Sequence, residues 1–360
     1  MRYCVIVVCL FLVSFAYGQT MNGEVPIHQL FDDVVFQVES HYSGIADKLT
    51  PETQQTYNEF KSSLKSRVSD TNYLDCIASY LAWFKDKHLY AINDGTRLTA
   101  YEDQPIDYSD SLLYAPKYVA KKIDKDCFLI RIPSLKGKNP TYCQFVKAAN
   151  KYRLSKCPYL IIDLRGNTGG SDGLYRPLQK LAYDHEGIIE GLDLRNTEEN
   201  VSYFTKRMKK DPFWQKILKQ SESSQSDFFC LFEQQTISYR HVKKRPAKVA
   251  IIIDNQVASS AEQMILDMKS CSDRIVLYGK DSTMGCLDYA NPRPYHIDSL
   301  NLVIMIPMTR SRRLPNHPVD PHGIAPERVI PLSLPKELTD NLDEWTRWVA
   351  DNIVQFSQGE

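Results

Sequence analysis

The chain has 360 residues, 44 Lys+Arg against 44 Asp+Glu, and 43% apolar side chains. That apolar fraction excludes wholesale disorder, and the balanced charge argues against nucleic acid or an anionic membrane surface as the main partner, because both demand a basic excess. At about 150 residues per domain the length allows two domains, one large and one small, and a binding protein or an enzyme remains.

The first predicted element is a leader. Arg2 precedes an apolar run from Tyr3 to Ala16, broken only by Ser14, and Ala16-Tyr17-Gly18 then places small residues where a signal peptidase reads. The run is 14 residues long, and a membrane-crossing helix needs about 20. We therefore expect residues 1–18 to be removed on export to the periplasm or the extracellular space, with an uncleaved anchor as the alternative and no membrane span after cleavage. Removal takes Cys4 and Cys9 away and leaves seven of nine cysteines. An odd number leaves at least one thiol unpaired or bonded to another chain. No Cys-x-x-Cys spacing is present, so structural zinc is not expected. Neither is any other metal or cofactor.

From Pro26 to about Trp83, apolar residues recur at helical spacing: Leu30, Val34, Val35 and Val38, then Phe60, Leu64 and Val68, then Leu74, Ile77 and Leu81. This predicts three short helices. Beyond Tyr90 come compact β-branched runs, 127–132, 159–164, 249–253, 274–278 and 302–306, which read as strands. Amphipathic segments near 140–153, 172–183, 203–219, 260–269 and 336–355 read as helices, and 220–227 as an exposed loop. Continuous apolar strands alternating with helices imply a mixed α/β fold whose sheet is covered on both faces. The expected organisation is a helical N-terminal unit over 19–115, a core over 116–335 and a C-terminal helix over 336–360.

Two segments carry chemistry. In the first, the apolar run Leu160-Ile161-Ile162 passes through Asp163-Leu164-Arg165-Gly166-Asn167-Thr168 into Gly169-Gly170. Paired glycines let a ligand carbonyl approach bare backbone N–H groups. Neither the phosphate-loop nor the dinucleotide glycine pattern is met, so an oxyanion-binding turn fits better, with an ordinary strand-to-helix turn as the plain alternative. In the second, Val249–Ile253 leads through a polar loop to Ser259-Ser260-Ala261-Glu262. A serine at a helix start has its hydroxyl beside free N–H groups and the positive end of the helix dipole, which suits a nucleophile. The same four residues also read as a capping box.

The pairing of D-L-R-G-N-x-G-G with a later S-x-x-E, followed by Gly279 and Thr283-Met284-Gly285, resembles the tail-specific and tricorn-type serine peptidases, family S41. The resemblance covers roughly residues 27–332 and implies a crotonase-like (ClpP/crotonase) ββα superhelix core. It maps the nucleophile, three residues before the glutamate, to Ser259. The catalytic lysine slot of the tail-specific branch falls on Cys286, so a different base is needed; Lys280 occupies another point of the motif. In the tricorn-like branch the base is a histidine. Asp86-Lys87-His88 resembles that branch's D-x-H element, and Asp320, three residues before Gly323, matches the orienting carboxylate; Glu327 matches a structural acidic position, and His322 is a weaker competitor. The 38 residues between His88 and Cys127 are too few for a PDZ domain.

With the leader, the resemblance implies a secreted serine endopeptidase acting on peptides or unfolded proteins through an acyl-enzyme. A histidine, with an unperturbed pKa of about 6.5, serves as a base near neutrality without special desolvation. His88 would take the Ser259 proton, Asp320 would orient the ring, and the N–H groups of Ser260 and of Gly169 or Gly170 would bind the oxyanion. Three rivals stand: an inactive peptide-binding protein on the same fold, a Ser/Lys peptidase with a displaced lysine, and a thiol enzyme using Cys286. The sequence leaves the oligomeric state open.

Overall fold

The computed structural model describes residues 26–98, 116–136, 142–206, 212–335, 338 and 342–358. The expected leader lies outside these residues. The architecture is mixed α/β, built on two six-stranded sheets and a two-stranded ribbon.

The first sheet contains four of the five strands expected from apolar runs. Its order is Arg328–Val329, Ile275–Gly279, Lys248–Ile252, Tyr159–Asp163, Cys127–Arg131, Val119–Lys122, parallel throughout except for the last strand. These strands are apolar on both faces because helices cover both. Phe128, Ile130, Leu160, Ile162, Val249 and Ile251 pack with side chains from the helices Tyr142–Ser155, Arg176–Ala182 and Ser260–Ser270. On the opposite face Leu129, Ile161, Ala250 and Ile252 meet Trp345, Val349 and Ile353 of the helix Glu344–Gln358.

A buried ion network ties that last helix to the sheet. Arg131 and Arg165 both bond Asp163 and Asp343, at 2.7–2.9 Å. The charged residues of the D-L-R-G-N segment thus brace the strand end.

The second sheet is antiparallel, with Leu302–Ser311 at its centre. The front helices pack on it: Phe31, Val34, Val38, Tyr57, Leu64, Ile77 and Tyr80 share one core with Leu302, Ile304 and Ile306. Four helices occupy this front, Ile27–His41, Ile45–Lys48, Pro51–Arg67 and Tyr73–Ala82. The addition to the expected three is the single turn Ile45–Lys48.

Two other expectations change. The segment 203–219 is divided between the helices Glu198–Lys206 and Pro212–Ser223, and the second extends into the stretch read as a loop. The strand Tyr289–Ile297 escaped the sequence pattern because it contains Pro292 and Pro294. Among the described residues it pairs only with Leu302–Ser311, and an edge position tolerates residues that cannot donate to a ladder.

Candidate active site

Three turns leave the carboxyl ends of three adjacent parallel strands, where α/β sheets open their crevices. Gly166–Gly170 follows Tyr159–Asp163, Ser259 follows Lys248–Ile252, and Thr283–Cys286 follows Ile275–Gly279. Sheet order alone therefore brings the motif residues of these turns together.

Ser259 caps the helix Ser260–Ser270 and forms the capping box with Glu262. Its backbone is not that of an ordinary cap. An N-cap residue normally sits in the β region, whereas Ser259 has φ 57° and ψ −124°, a conformation that costs a non-glycine residue about 1–3 kcal/mol. Glu262 is fully buried and accepts four hydrogen bonds, from Ser259 N–H at 3.0 Å, Thr283 Oγ1 at 2.6 Å, Gly285 N–H at 2.8 Å and Cys286 N–H at 3.0 Å. Burial raises its carboxyl above the usual range, and these donors oppose that rise. In return, the Cys286 carbonyl accepts from Ser259 N–H at 3.0 Å. The serine turn and the turn ending in Cys286 are thus locked to each other.

The glycine turn closes on the serine from the other side. A Cβ on Gly169 would lie 2.7 Å from Ser259 Cβ and 2.9 Å from Ser260 N, and one on Gly170 would lie 2.0 Å from the Leu135 carbonyl. Asn167 sets this approach, donating to Ile132 O at 2.9 Å while its own carbonyl accepts from Ala258 N–H at 3.1 Å. Its Oδ1 also accepts from Gly169 N–H at 2.9 Å. Among the described residues, the N–H groups of Gly170 and Ser260 have no acceptor. Behind the turn, Asp172 bonds Ser260; desolvation raises its carboxyl, and the Ser260 bond and the charges of Arg313 and Arg176 oppose that.

His88 arrives from the second sheet, just before the strand Tyr90–Asn93. Asp86 Oδ1 accepts from His88 N–H at 2.8 Å, which fixes the turn. The ring Nδ1 lies 2.6 Å from the carbonyl oxygen of Tyr289. A carbonyl only accepts, so the proton is on Nδ1 and the Nε2 lone pair is left available. Although the side chain keeps some access to solvent, desolvation pushes its pKa down to about 4, with the Tyr289 bond opposing and the charges of Arg97 and Lys136 adding to the fall. No hydrogen bond joins His88 to Ser259. The connection between them is the segment 283–289: it is bound to Ser259 and Glu262 at one end and to His88 at the other, with Lys87 Nζ donating to Met284 O at 2.6 Å between.

Asp320 does not make the contact that the resemblance implied. The ring nitrogen expected to meet it meets Tyr289 O instead, because the Asp320 carboxylate faces backbone: Oδ1 accepts from Leu287 N–H at 2.6 Å and Oδ2 from Asp288 N–H at 3.2 Å. Asp288 reciprocates, accepting from Asp320 N–H at 2.8 Å and pairing with Arg313 at 2.7 Å. Burial, with the nearby charges of Asp86 and Asp288, holds the Asp320 carboxyl well above the usual range. Burial likewise holds the Cys286 thiol well above its ordinary value, with Asp320, Asp86 and Glu262 adding to the shift, which disfavours a thiolate nucleophile. Lys280 and His322 are exposed. Glu327 accepts from Leu277 N–H at 2.8 Å and pairs with Lys269 at 2.6 Å, a brace on the sheet.

Sequence reading missed Tyr289 and Asp172, and it quoted Asp86 within the D-x-H element without giving it a role. The D-x-H spacing allows Asp86 to hold the His88 N–H locally; a backbone carbonyl such as that of Tyr289 leaves no sequence signal. One cluster of ligand-type side chains, Asp184, His185 and Asp273, occurs among the described residues. It lies beyond the far end of the Ser260–Ser270 helix, where Asp184 bonds Ser272 and faces Arg274 at 3.4 Å. All seven described cysteines are free thiols, and no described helix is long and apolar enough to cross a membrane.

Residues 126–330 match the family model for peptidase family S41. The chain belongs to this family. No curated protein sequence matches it. Solved structures share the fold of this S41 chain at low identity. Mature CPAF complexed with lactacystin is 10% identical, covers 92% of this chain and 98% of its own, and has a TM-score of 0.61. Mature CPAF alone gives 12%, 91%, 95% and 0.60, and a candidate peptidase from Parabacteroides merdae gives 12%, 85%, 90% and 0.58. Membership supports a serine peptidase in general terms, a hydrolase acting on peptides.

Proposed function

We propose that this chain is an exported serine endopeptidase with Ser259 as nucleophile and His88 as general base, on a crotonase-like core. The observation that carries the reading is the strained backbone of Ser259 at a helix start. Capping needs no such strain, whereas a nucleophile presented at a strand-to-helix turn is held in this way.

In this reading Ser259 Oγ attacks the peptide carbonyl while His88 Nε2 takes the hydroxyl proton and then hands it to the leaving amine. The N–H groups of Ser260 and Gly170 receive the oxyanion, each worth about 3–4 kcal/mol; Gly169 N–H is already held by Asn167. Water then hydrolyses the acyl-enzyme by the reverse proton path. Asp320 acts at one remove: by holding the N–H groups of Leu287 and Asp288 it places the Tyr289 carbonyl that fixes the imidazole tautomer.

The test is turnover of an unfolded protein by purified variants. Ser259→Ala abolishes it, His88→Ala reduces it about a thousandfold or more, and Lys280→Ala leaves it intact. Activity in Ser259→Ala defeats the nucleophile assignment, and a dead Lys280→Ala beside an active His88→Ala restores the Ser/Lys scheme.

A further inference from the structure

Arg97 lies on the short strand Thr96–Leu98, paired with the strand that follows His88. Its guanidinium carbon lies 3.9 Å from the centre of the Tyr90 ring, and Nη2 donates to the carbonyl of Lys87. An exposed arginine ordinarily samples many rotamers. This one is pinned by stacking and by a backbone bond to the residues on either side of His88.

The carbonyl it holds belongs to the residue before His88, and the same Lys87 donates to Met284 O in the turn that ends in Cys286, so the guanidinium is fixed beside the backbone that carries the imidazole. The carboxylates of that region are engaged elsewhere: Asp86, Glu262 and Asp320 are buried and accept from backbone N–H groups. Arg97 forms no ion pair with any described carboxylate. One of its five N–H donors serves Lys87, and a guanidinium is the side chain best shaped to take a carboxylate with two parallel bonds. A second positive charge, Lys136, follows the Leu135 backbone that brackets Gly169 and Gly170, and its charge, like that of Arg97, adds to the lowering of the His88 pKa.

We infer that Arg97 is an anion-recognising subsite beside the catalytic pair, and that it selects peptides carrying a carboxylate near the cleaved bond. This rests on the peptidase reading for the identity of the ligand as a peptide. The carboxylate comes from an acidic side chain or from a free C-terminus.

The experiment uses internally quenched octapeptides of one sequence. A single Glu is moved through the positions flanking the cleaved bond, each peptide is matched by a Gln counterpart, and all are C-terminally amidated; one neutral peptide is also made with a free C-terminus. Wild type favours one carboxylate placement over its neutral match by about tenfold or more in kcat/KM, as expected for a charge-assisted bidentate bond. Arg97→Gln brings that ratio to within twofold of unity, and Arg97→Glu turns it below unity. A preference among internal Glu positions identifies a side-chain subsite, and one for the free over the amidated end a terminal subsite. The same pairs are titrated by fluorescence anisotropy on Ser259→Ala protein, which reads the subsite without turnover. Charge preference in binding without turnover by wild type leaves Arg97 supported and defeats the peptidase reading. Equal affinity of Glu and Gln peptides, or a preference that survives Arg97→Gln, overturns the subsite.

Discussion

Ser259 combines two demands that usually conflict. As a cap it stabilises its helix, and as a residue at φ 57° it strains the chain. Replacing an ordinary capping serine by glycine costs only a few tenths of a kcal/mol, and here glycine also relieves an estimated 1–3 kcal/mol of strain. Ser259→Gly is therefore expected to be at least as stable as wild type in urea unfolding while losing all turnover; a loss of more than about 1 kcal/mol would show that the backbone is unstrained. His88 makes a prediction in pH. In the proposed role of base it works only when neutral, and its pKa is lowered to about 4, below the unfolded value of about 6.5. The acid limb of kcat/KM should therefore fall near pH 4, with activity nearly level from pH 7 to about 5. The same sign holds for stability: the contribution of neutral His88 is complete above the unfolded pKa and is lost as pH falls through the folded one. A limb centred between pH 6 and 7 would show an imidazole freely solvated at the start of the reaction.

At the scale of elements, Glu262 joins the nucleophile helix to the turn Thr283–Cys286 through four accepted bonds. Glu262→Ala leaves three of these donors without an acceptor, since Ser259 N–H keeps the Cys286 carbonyl, and each buried unsatisfied group costs about 1–3 kcal/mol. A loss of at least about 3 kcal/mol in denaturant unfolding is expected, and a change under about 0.5 kcal/mol would contradict the brace. What was legible in the sequence divides along the same physical line. The parallel strands declared themselves because burial on both faces demands unbroken apolar runs. The serine turn did so because a helix start constrains four consecutive residues. Tyr289–Ile297 did not, because an edge strand with one neighbour admits Pro292 and Pro294. Asp320 was expected beside the His88 ring, where Nδ1 instead meets a carbonyl that any residue could supply. The choice between Gly169 and Gly170 as donor depended on where Asn167 points, which spacing cannot say.

Over the whole molecule, the two sheets are held as one frame. The front helices share their core with the second sheet, so the strand that positions His88 rests on a surface those helices complete. The helix Glu344–Gln358 is tied to the parallel sheet by Asp343, which faces Arg131 and Arg165 beside Asp163. Desolvation alone would raise Asp163, but the charges of Arg165 and Arg131 outweigh it and hold the carboxyl far below the usual range. Its contribution is complete above the unfolded value of about 3.9 and is lost as pH drops below it. Asp343→Ala leaves buried guanidinium charge partly uncompensated and is expected to cost about 3–5 kcal/mol in denaturant unfolding; a variant as stable as wild type would remove the network from the account.

The frame exists, in this account, to present one hydroxyl. The most direct measurement is intact-mass and peptide mapping of the purified chain after reaction with a serine-directed fluorophosphonate at pH 7. A single adduct on Ser259, abolished by Ser259→Ala and slowed strongly by His88→Ala, is the predicted result. An unmodified protein, or an adduct on another residue with Ser259 intact, would contradict the assignment of Ser259 as the nucleophile.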